Sequence, residues 1–469
     1  MVFAKTIGGG NKNYTELVSQ LGRQEVFDEH KIRRKKESSG NFKRMKHYAS
    51  GMVMRSLENF HAESSVEILL NRLLTHAEIL YNKKQFGLLK KCLAKAKKLA
   101  TERDLIQYLL QILLLEMKSS ISFRNTTESL LQNPSKEIEK ITDDCLRFAE
   151  LRRLSLLFWN IIHTKDTVNA AEKKQLLLIA KKTLALHKKG KNGYSINKEA
   201  SNVLGLCYRF AGEKEKSYLW RKKLVALIGS EKTFLHERSA DYIVSIGNLL
   251  NMCIEMKKNE EVILLYNKAR DFMAALPSRY NDYMLDERYC NLQNSYVSFL
   301  FQNKKYEEVL SIGEELHLKL QKHSYTFMNS IVPMLFKKMI FSSFYIGKYK
   351  TSNKFYNLWL RLSESESEEI QKRLFGLILF YEQGERDLTH YRCRNLRYAL
   401  SNQKKKNVFA HEVEKFFSSK LLKTSGKKEE QEAFRNFVEH ISKKKNSLQA
   451  QPFSDVFGYV EWFKNKAAL

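Results

Sequence analysis

The amino-acid sequence predicts an all-α protein built from repeated helical hairpins that stack into an α-α superhelix, or solenoid. The first observation is composition: 4 prolines and 19 glycines in 469 residues leave little of the turn chemistry that a sandwich or barrel needs. The second is periodicity, because apolar residues recur at three- and four-residue steps along the chain. The third is a recurrent turn that interrupts these patterns every 37 to 47 residues, at Gly212, Lys257, Lys304, Gly347 and Gly384.

The clearest hairpin spans residues 202–227. Gly205 lies in the middle of its first helix, where glycine costs roughly 1 kcal/mol relative to alanine. We therefore expect a neighbouring helix to approach Gly205 too closely for a side chain. Ala211 and Gly212 end the first helix. Helical spacing then resumes at Ser217, Trp220, Arg221 and Leu224.

This hairpin resembles a tetratricopeptide repeat. The resemblance is carried by Leu204-Gly205, by Tyr208 three residues on, by Gly212 four further, and by small and large residues on the second helix. It covers roughly residues 65–100 and 200–400, and it is closest in character to divergent bacterial members of the family. The tetratricopeptide period is ~34 residues, so helices or loops in this chain are extended.

Four segments are expected from the repeat pattern. Residues 1–60 form a lead and a helix over 15–36 that ends in a basic run, and residues 61–190 form irregular helical repeats. Residues 191–405 form the regular repeats. Residues 406–469 form a last helical pair and a capping helix that covers the final apolar face.

Three helix starts are predicted from local sequence. Pro134 is placed in the first turn of a helix over residues 135–163, since proline is tolerated there. Ser365 and Glu368 form a capping box. Pro452 begins the capping helix, which carries Phe457 and Phe463.

The net charge of +29 has two interpretations. It can be an electrostatic surface for nucleic acid or an anionic membrane. It can also be compositional, because the lysines and arginines are scattered among glutamates on nearly every helix. The compositional interpretation is favoured.

The six cysteines are far apart and form no CxxC pair. A zinc site or a disulfide framework is therefore not expected, and a reducing cytoplasm is the expected location. The N-terminus has no apolar stretch of signal-peptide length, and no apolar run is long enough to span a bilayer.

No motif for catalysis is present. The sequence lacks GxxxxGK[ST], HExxH and GxSxG. His390 and Cys393 share a helical face, but two ligands do not make a metal site. We expect no enzymatic activity, no cofactor and no bound metal.

The tetratricopeptide resemblance implies that the first helix of each hairpin lines a concave groove. Asparagine recurs there, and an asparagine side chain both donates and accepts, so it can hold a peptide bond. The alternative is that asparagine is simply frequent on wet helical faces. Lys337 and Lys338 are expected on the same face, where they could meet an acidic side chain or a C-terminal carboxylate. The candidate groove residues are Asn202, Arg209, Asn248, Asn251, Asn291, Asn294, Lys337, Lys338 and Phe341.

Two functions of different classes follow. The first is a protein-interaction scaffold that binds a peptide or a partner helix in the groove, including the narrower case of a bacterial peptide-sensing regulator. The second is a basic helical-repeat protein that binds nucleic acid, whose affinity would fall steeply with salt. The partner, the pathway and the oligomeric state are not encoded in any recognisable motif.

Overall fold

The structure of the chain is a computed structural model. It describes residues 42–60, 65–122, 128–163, 168–190, 192–230, 234–280, 283–322, 328–362, 366–402, 407–443 and 457–468. Within these ranges every regular element is a helix. The helix predicted over residues 15–36 and the predicted cap Ser365 lie outside them.

The described residues form two compact units. The first comprises the chain up to Met256 together with Arg270–Leu285. Its helices are α1 (Phe42–Phe60), α2 (Val66–Asn82), α3 (Phe86–Glu102), α4 (Ile106–Ser122), α5 (Glu128–Ile162), α6 (Ala170–Lys188), α7 (Tyr194–Ala211), α8 (Lys214–Ser230), α9 (Ser239–Glu255) and the last part of α10 (Asn259–Ala275).

The second unit comprises Lys257–Ala269 and the chain from Asp286 onward. It contains the first part of α10 and nearly all of α11 (Tyr283–Gln302). The helices that follow are α12 (Tyr306–Lys322), α13 (Met328–Tyr345), α14 (Tyr349–Leu360), α15 (Glu366–Glu382), α16 (Arg386–Ser401), α17 (Val408–Ser419), α18 (Lys427–Lys443) and α19 (Tyr459–Ala468).

The predicted fold class is confirmed: the protein is all-α, with tetratricopeptide-like hairpins of sequentially packed helices. Each of the five predicted turns has one residue in the left-handed region. Glycine occupies three of them, with φ of +89° at Gly212 and +74° at Gly347 and Gly384. Lysine occupies the other two, with φ of 58° at Lys257 and 57° at Lys304. A left-handed residue after the first helix satisfies its last carbonyls and reverses the chain.

The predicted close approach at Gly205 is also confirmed. Gly205 on α7 is buried. A β-carbon at this position would lie 3.1 Å from Cγ of Arg221 on α8. The hydroxyl of Ser217 donates to the carbonyl oxygen of Gly205 at 2.7 Å, so the side chains of α8 touch the backbone of α7 directly.

The helix start predicted at Pro134 is wrong. Helix α5 begins at Glu128 and runs for 35 residues, so Pro134 is beyond its first turn. A proline inside a helix removes one intrahelical hydrogen bond, and α5 continues in both directions from it. Its first half packs on α4, where the Cys145 thiol donates to the Ile106 carbonyl oxygen at 3.6 Å. Its second half packs on α6 and α7 through Leu154 and Phe158.

The C-terminal helix α19 packs on α18. Phe463 is its main contact, fully buried against Phe416, Phe434 and Phe437. The start predicted at Pro452 lies outside the described residues, and the helix begins at Tyr459. The division of the chain into four segments stays a prediction.

Candidate functional site

The candidate residues share a register within the hairpins. Counted back from the left-handed residue of each turn, they lie six, nine, ten or thirteen residues earlier, except Arg209, which lies three earlier. Asn291 and Asn294, for example, precede Lys304 by thirteen and ten residues. We call these positions the first-helix face, and we apply the name to each unit separately: to α2, α4, α7 and α9 in the first unit, and to α11, α13 and α15 in the second.

In the first unit, the first-helix face contains an open groove of about 460 Å³ between α2 and α4. The apolar part of its lining is Leu74, Leu114 and Leu115, and Leu114 is 47% exposed. The polar part comes from both helices. It consists of Asn71, Thr75 and Glu78 on α2 and of Gln111 and Lys118 on α4.

Sequence reasoning did not propose this groove, although a signal for it was present. Lys84 ends the first hairpin helix in the left-handed region, with φ of 56°. Asn71 precedes Lys84 by the same thirteen residues that separate Asn291 from Lys304. Extending the register to the first hairpin would have identified its α2 side.

Four candidate residues lie elsewhere in the first unit. Asn202 on α7 and Asn248 and Asn251 on α9 are half-buried. Arg209 is engaged by the neighbouring first helix, since its Nε donates to Oε1 of Glu255 at 3.0 Å. Arg209 therefore presents a neutralised ion pair.

In the second unit, the structure brings together three polar residues from α11 and α13. Nζ of Lys338 donates to Oγ of Ser298 at 2.5 Å and lies 3.5 Å from Oδ1 of Asn294. Lys338 is only 7% exposed, and no carboxylate of a described residue lies within ion-pair distance of it. Burial lowers the pKa of Lys338 to about 8, because desolvation disfavours the ammonium form.

Lys337 and Lys338 contact different neighbours. Successive residues of a helix point about 100° apart. Lys338 therefore reaches back to α11, whereas Lys337 donates to Glu368 on α15. The Lys337 ammonium also lies 5.4 Å from the ring centroid of Trp359.

Phe341 is covered by the C-terminal part of the chain. Phe457 lies 5.1 Å from it, measured between ring centroids, and leaves it 3% exposed. Asn291 on α11 is half-buried. That the nine candidate residues contact a ligand stays a prediction.

The parts of the chain that the structure describes contain no cluster of three potential metal ligands. None of the helices in these parts is both long and apolar enough to cross a membrane. None of the six cysteines forms a disulfide.

The geometry defines the class of protein: an all-α, helical-hairpin repeat protein with a grooved first-helix face. No protein-family model matches the sequence, and no curated protein is significantly similar to it. Among solved structures, one similar chain is the apo form of the quorum sensor NprR from B. thuringiensis. The alignment covers 79% of this chain and 98% of that one, at 12% identity and a TM-score of 0.39. With a likeness this distant, the fold assignment rests on the helices and turns described above.

Proposed function

We propose that this chain is a non-enzymatic interaction protein that binds a peptide or helical segment of a partner on its first-helix face. The observation that carries the proposal is the groove between α2 and α4. It lies at the register positions where the tetratricopeptide resemblance implies ligand contacts. The groove therefore links the sequence pattern to an open space in the structure.

The lining of the groove suits a peptide. Leu74 and Leu114 offer apolar surface to a side chain, which favours burial of a leucine- or phenylalanine-sized group. Asn71 and Gln111 add amides that both donate and accept, as a peptide backbone requires. One acidic and one basic side chain, Glu78 and Lys118, complete the set.

The charges at the candidate site favour a protein ligand over nucleic acid. Arg209 is paired with Glu255, and Lys337 is paired with Glu368. Lys338 is buried among neutral groups. None of these three cations is therefore available to bind a phosphate. Nucleic-acid binding is an alternative outcome of the test below.

We further propose that binding takes place in a reducing cytoplasm. Six cysteines in the reduced form are the state that such a compartment maintains. The narrower function, sensing of a regulatory peptide in a bacterium, stays a prediction.

The test is selection of a random peptide library, displayed on phage, against the full-length protein. Peptides that bind the wild type should lose at least about tenfold in affinity for Leu114→Glu, since a buried charge in the groove is costly. The matched control is Leu88→Glu on the second helix α3, where Leu88 is similarly exposed, at 54%. Binding to Leu88→Glu should equal that of the wild type.

Two results would count against the proposal. One is equal loss of affinity in both variants, which would mean that the groove is not the binding site. The other is tight, salt-dependent binding of single-stranded RNA or duplex DNA by a protein that selects no peptide, which would favour the nucleic-acid function.

A further inference from the structure

An aromatic pocket on α13 and α15 holds a side chain from the chain's own C-terminal segment. The ring of Phe457 lies 5.1 Å from the ring centroids of Phe341, Phe344 and Phe375. It also stacks on Tyr345 at 5.6 Å. Phe457 is 1% exposed, so the pocket encloses the ring almost completely.

The pocket contacts the backbone of its occupant as well as the ring. The hydroxyl of Tyr345 donates to the carbonyl oxygen of Phe457. The next residue, Gly458, has φ of +76°, and a β-carbon there would lie 3.0 Å from the same hydroxyl. The site therefore fits a phenylalanine followed by glycine, because other residues strain that backbone conformation.

This pocket belongs to the first-helix face. Phe341 precedes Gly347 by six residues, and Phe375 precedes Gly384 by nine. These are register positions that line the α2–α4 groove in the first unit, where Glu78 and Thr75 occupy them. The surface that is open there is filled here by a segment of the same chain.

The segment is held at two places. Helix α19 is anchored on α17 and α18 by Phe463. Nε1 of Trp462 and Nζ of Lys466 also donate to Glu382, at 2.7 and 2.9 Å. Phe457 enters the aromatic pocket before the helix begins. Phe463 reaches α17 and α18, whereas Phe457 contacts α13 and α15, so we expect the Phe463 contacts to survive release of Phe457.

We propose that the aromatic pocket is a recognition site for a Phe-Gly segment of a partner protein, and that Phe457 and Gly458 are its internal occupant. A partner segment of the same chemistry binds by replacing them. This inference rests on the proposed function, since it assigns a ligand class and a competitor to one part of the first-helix face. The tether makes the internal occupant an effective competitor, because its local concentration is in the millimolar range.

The probe is a fluorescent synthetic peptide with the sequence of residues 453–460, which contains the Phe-Gly pair but lacks Trp462, Phe463 and Lys466. Full-length Phe457→Ala, whose pocket has lost its occupant, should bind this peptide at least about tenfold more tightly than the wild type. A peptide with alanine at the position of Phe457 should not bind. Adding Phe341→Ala to the Phe457→Ala protein should abolish binding.

Gly458→Ala provides a second route to an empty pocket, because it retains every ring, strains the backbone of the occupant and crowds the Tyr345 hydroxyl. It should also bind the peptide more tightly than the wild type. Circular dichroism shows whether each variant is folded. If neither variant is folded, the wild type is titrated with peptide up to millimolar concentration. The Phe-Gly peptide should then bind saturably, and the alanine peptide should not.

The inference is overturned if the emptied pocket takes the peptide no better than the wild type does, or if the alanine peptide binds equally well. It is also overturned if Leu114→Glu, and not Phe341→Ala, removes binding, since the peptide would then occupy the α2–α4 groove. Failure of the Phe-Gly peptide while library peptides still bind that groove removes this inference alone. Failure of both removes the proposed function.

Discussion

Gly205 on α7 packs directly against the side chain of Arg221 on α8. The Arg221 side chain crosses the backbone of α7 at the point where Gly205 has no side chain, and its Cγ would be 3.1 Å from a β-carbon there. Arg221 is only 2% exposed, and its burial lowers its pKa to about 10. The glycine thus creates the space that a long, largely desolvated side chain occupies.

Gly205→Leu should lower the free energy of unfolding by about 1–3 kcal/mol, because the added side chain overpacks this contact. The matched control is Gly51→Leu in the middle of α1, where a β-carbon would meet no atom of a neighbouring element within 4 Å. That substitution should be neutral or slightly stabilising, since leucine forms helices better than glycine. Thermal unfolding followed by circular dichroism measures both, and equal melting temperatures for the two variants would contradict the assigned packing.

The left-handed turn residues give a paired prediction of opposite sign. Lys84 adopts φ of 56°, a conformation that costs a residue with a β-carbon about 1 kcal/mol. Lys84→Gly should therefore raise the melting temperature, whereas Gly347→Lys, at a turn with φ of +74°, should lower it. Positions 84 and 347 are both exposed, so neither substitution changes packing much. Shifts of the same sign in the two variants would rule out backbone strain as the cause.

The buried Lys338 predicts a rise in stability with pH. Its pKa is about 8 in the folded protein and 10.5 in the free side chain, so the unfolded chain binds the proton more tightly. The contribution of Lys338 to the free energy of unfolding should be constant below about pH 8 and should rise from there to about pH 10.5. Relative to Lys338→Met, the wild type should gain roughly 3 kcal/mol over that interval, at about 1.4 kcal/mol per pKa unit.

Urea unfolding of the wild type and Lys338→Met across this pH range measures the difference directly. The comparison removes the contributions of other groups that titrate there, including the thiols and tyrosines. A difference that does not change with pH would mean that Lys338 is solvated.

The thiols should be inert in the folded protein. Burial raises the pKa of Cys207, Cys290 and Cys393 to about 12, and thiolates are the reactive species. Burial also raises the pKa of the half-buried Cys92 and Cys145. Ellman's reagent at neutral pH should therefore react slowly with the native protein and should titrate all six cysteines in guanidinium chloride. Rapid reaction of a thiol before unfolding would contradict the packing around it.

Local sequence was sufficient to predict the hairpins and the positions of their turns. A glycine or lysine between two apolar helical patterns needs only its neighbours to specify a left-handed turn, and Gly212 and Lys304 both adopt it. The error at Pro134 has a physical cause. Proline disfavours a helix interior by about 3 kcal/mol, so local sequence favours a helix start at Pro134 and gives no sign of a helix that begins six residues earlier, at Glu128.

The site was less predictable because its contacts join distant parts of the chain. The resemblance placed Asn294 and Lys338 on the same face, and the two side chains lie 3.5 Å apart, while their role in a groove stays a prediction. It could not indicate that Lys337 reaches Glu368, or that Phe457 covers Phe341 from more than a hundred residues away. Which neighbour a side chain selects depends on the packing of several helices at once.

Helix α5 has a consequence for cooperativity. At ~1.5 Å per residue its 35 residues extend about 52 Å. The same helix forms a hairpin with α4 and also packs on α6 and α7. Repeat arrays generally fray one module at a time, because each module touches only its neighbours. A helix shared by two modules joins their folding equilibria, since neither can open without breaking contacts of the other. The stretch from α4 to α7 should therefore open as a single unit, with one common free energy for exchange of its amide hydrogens.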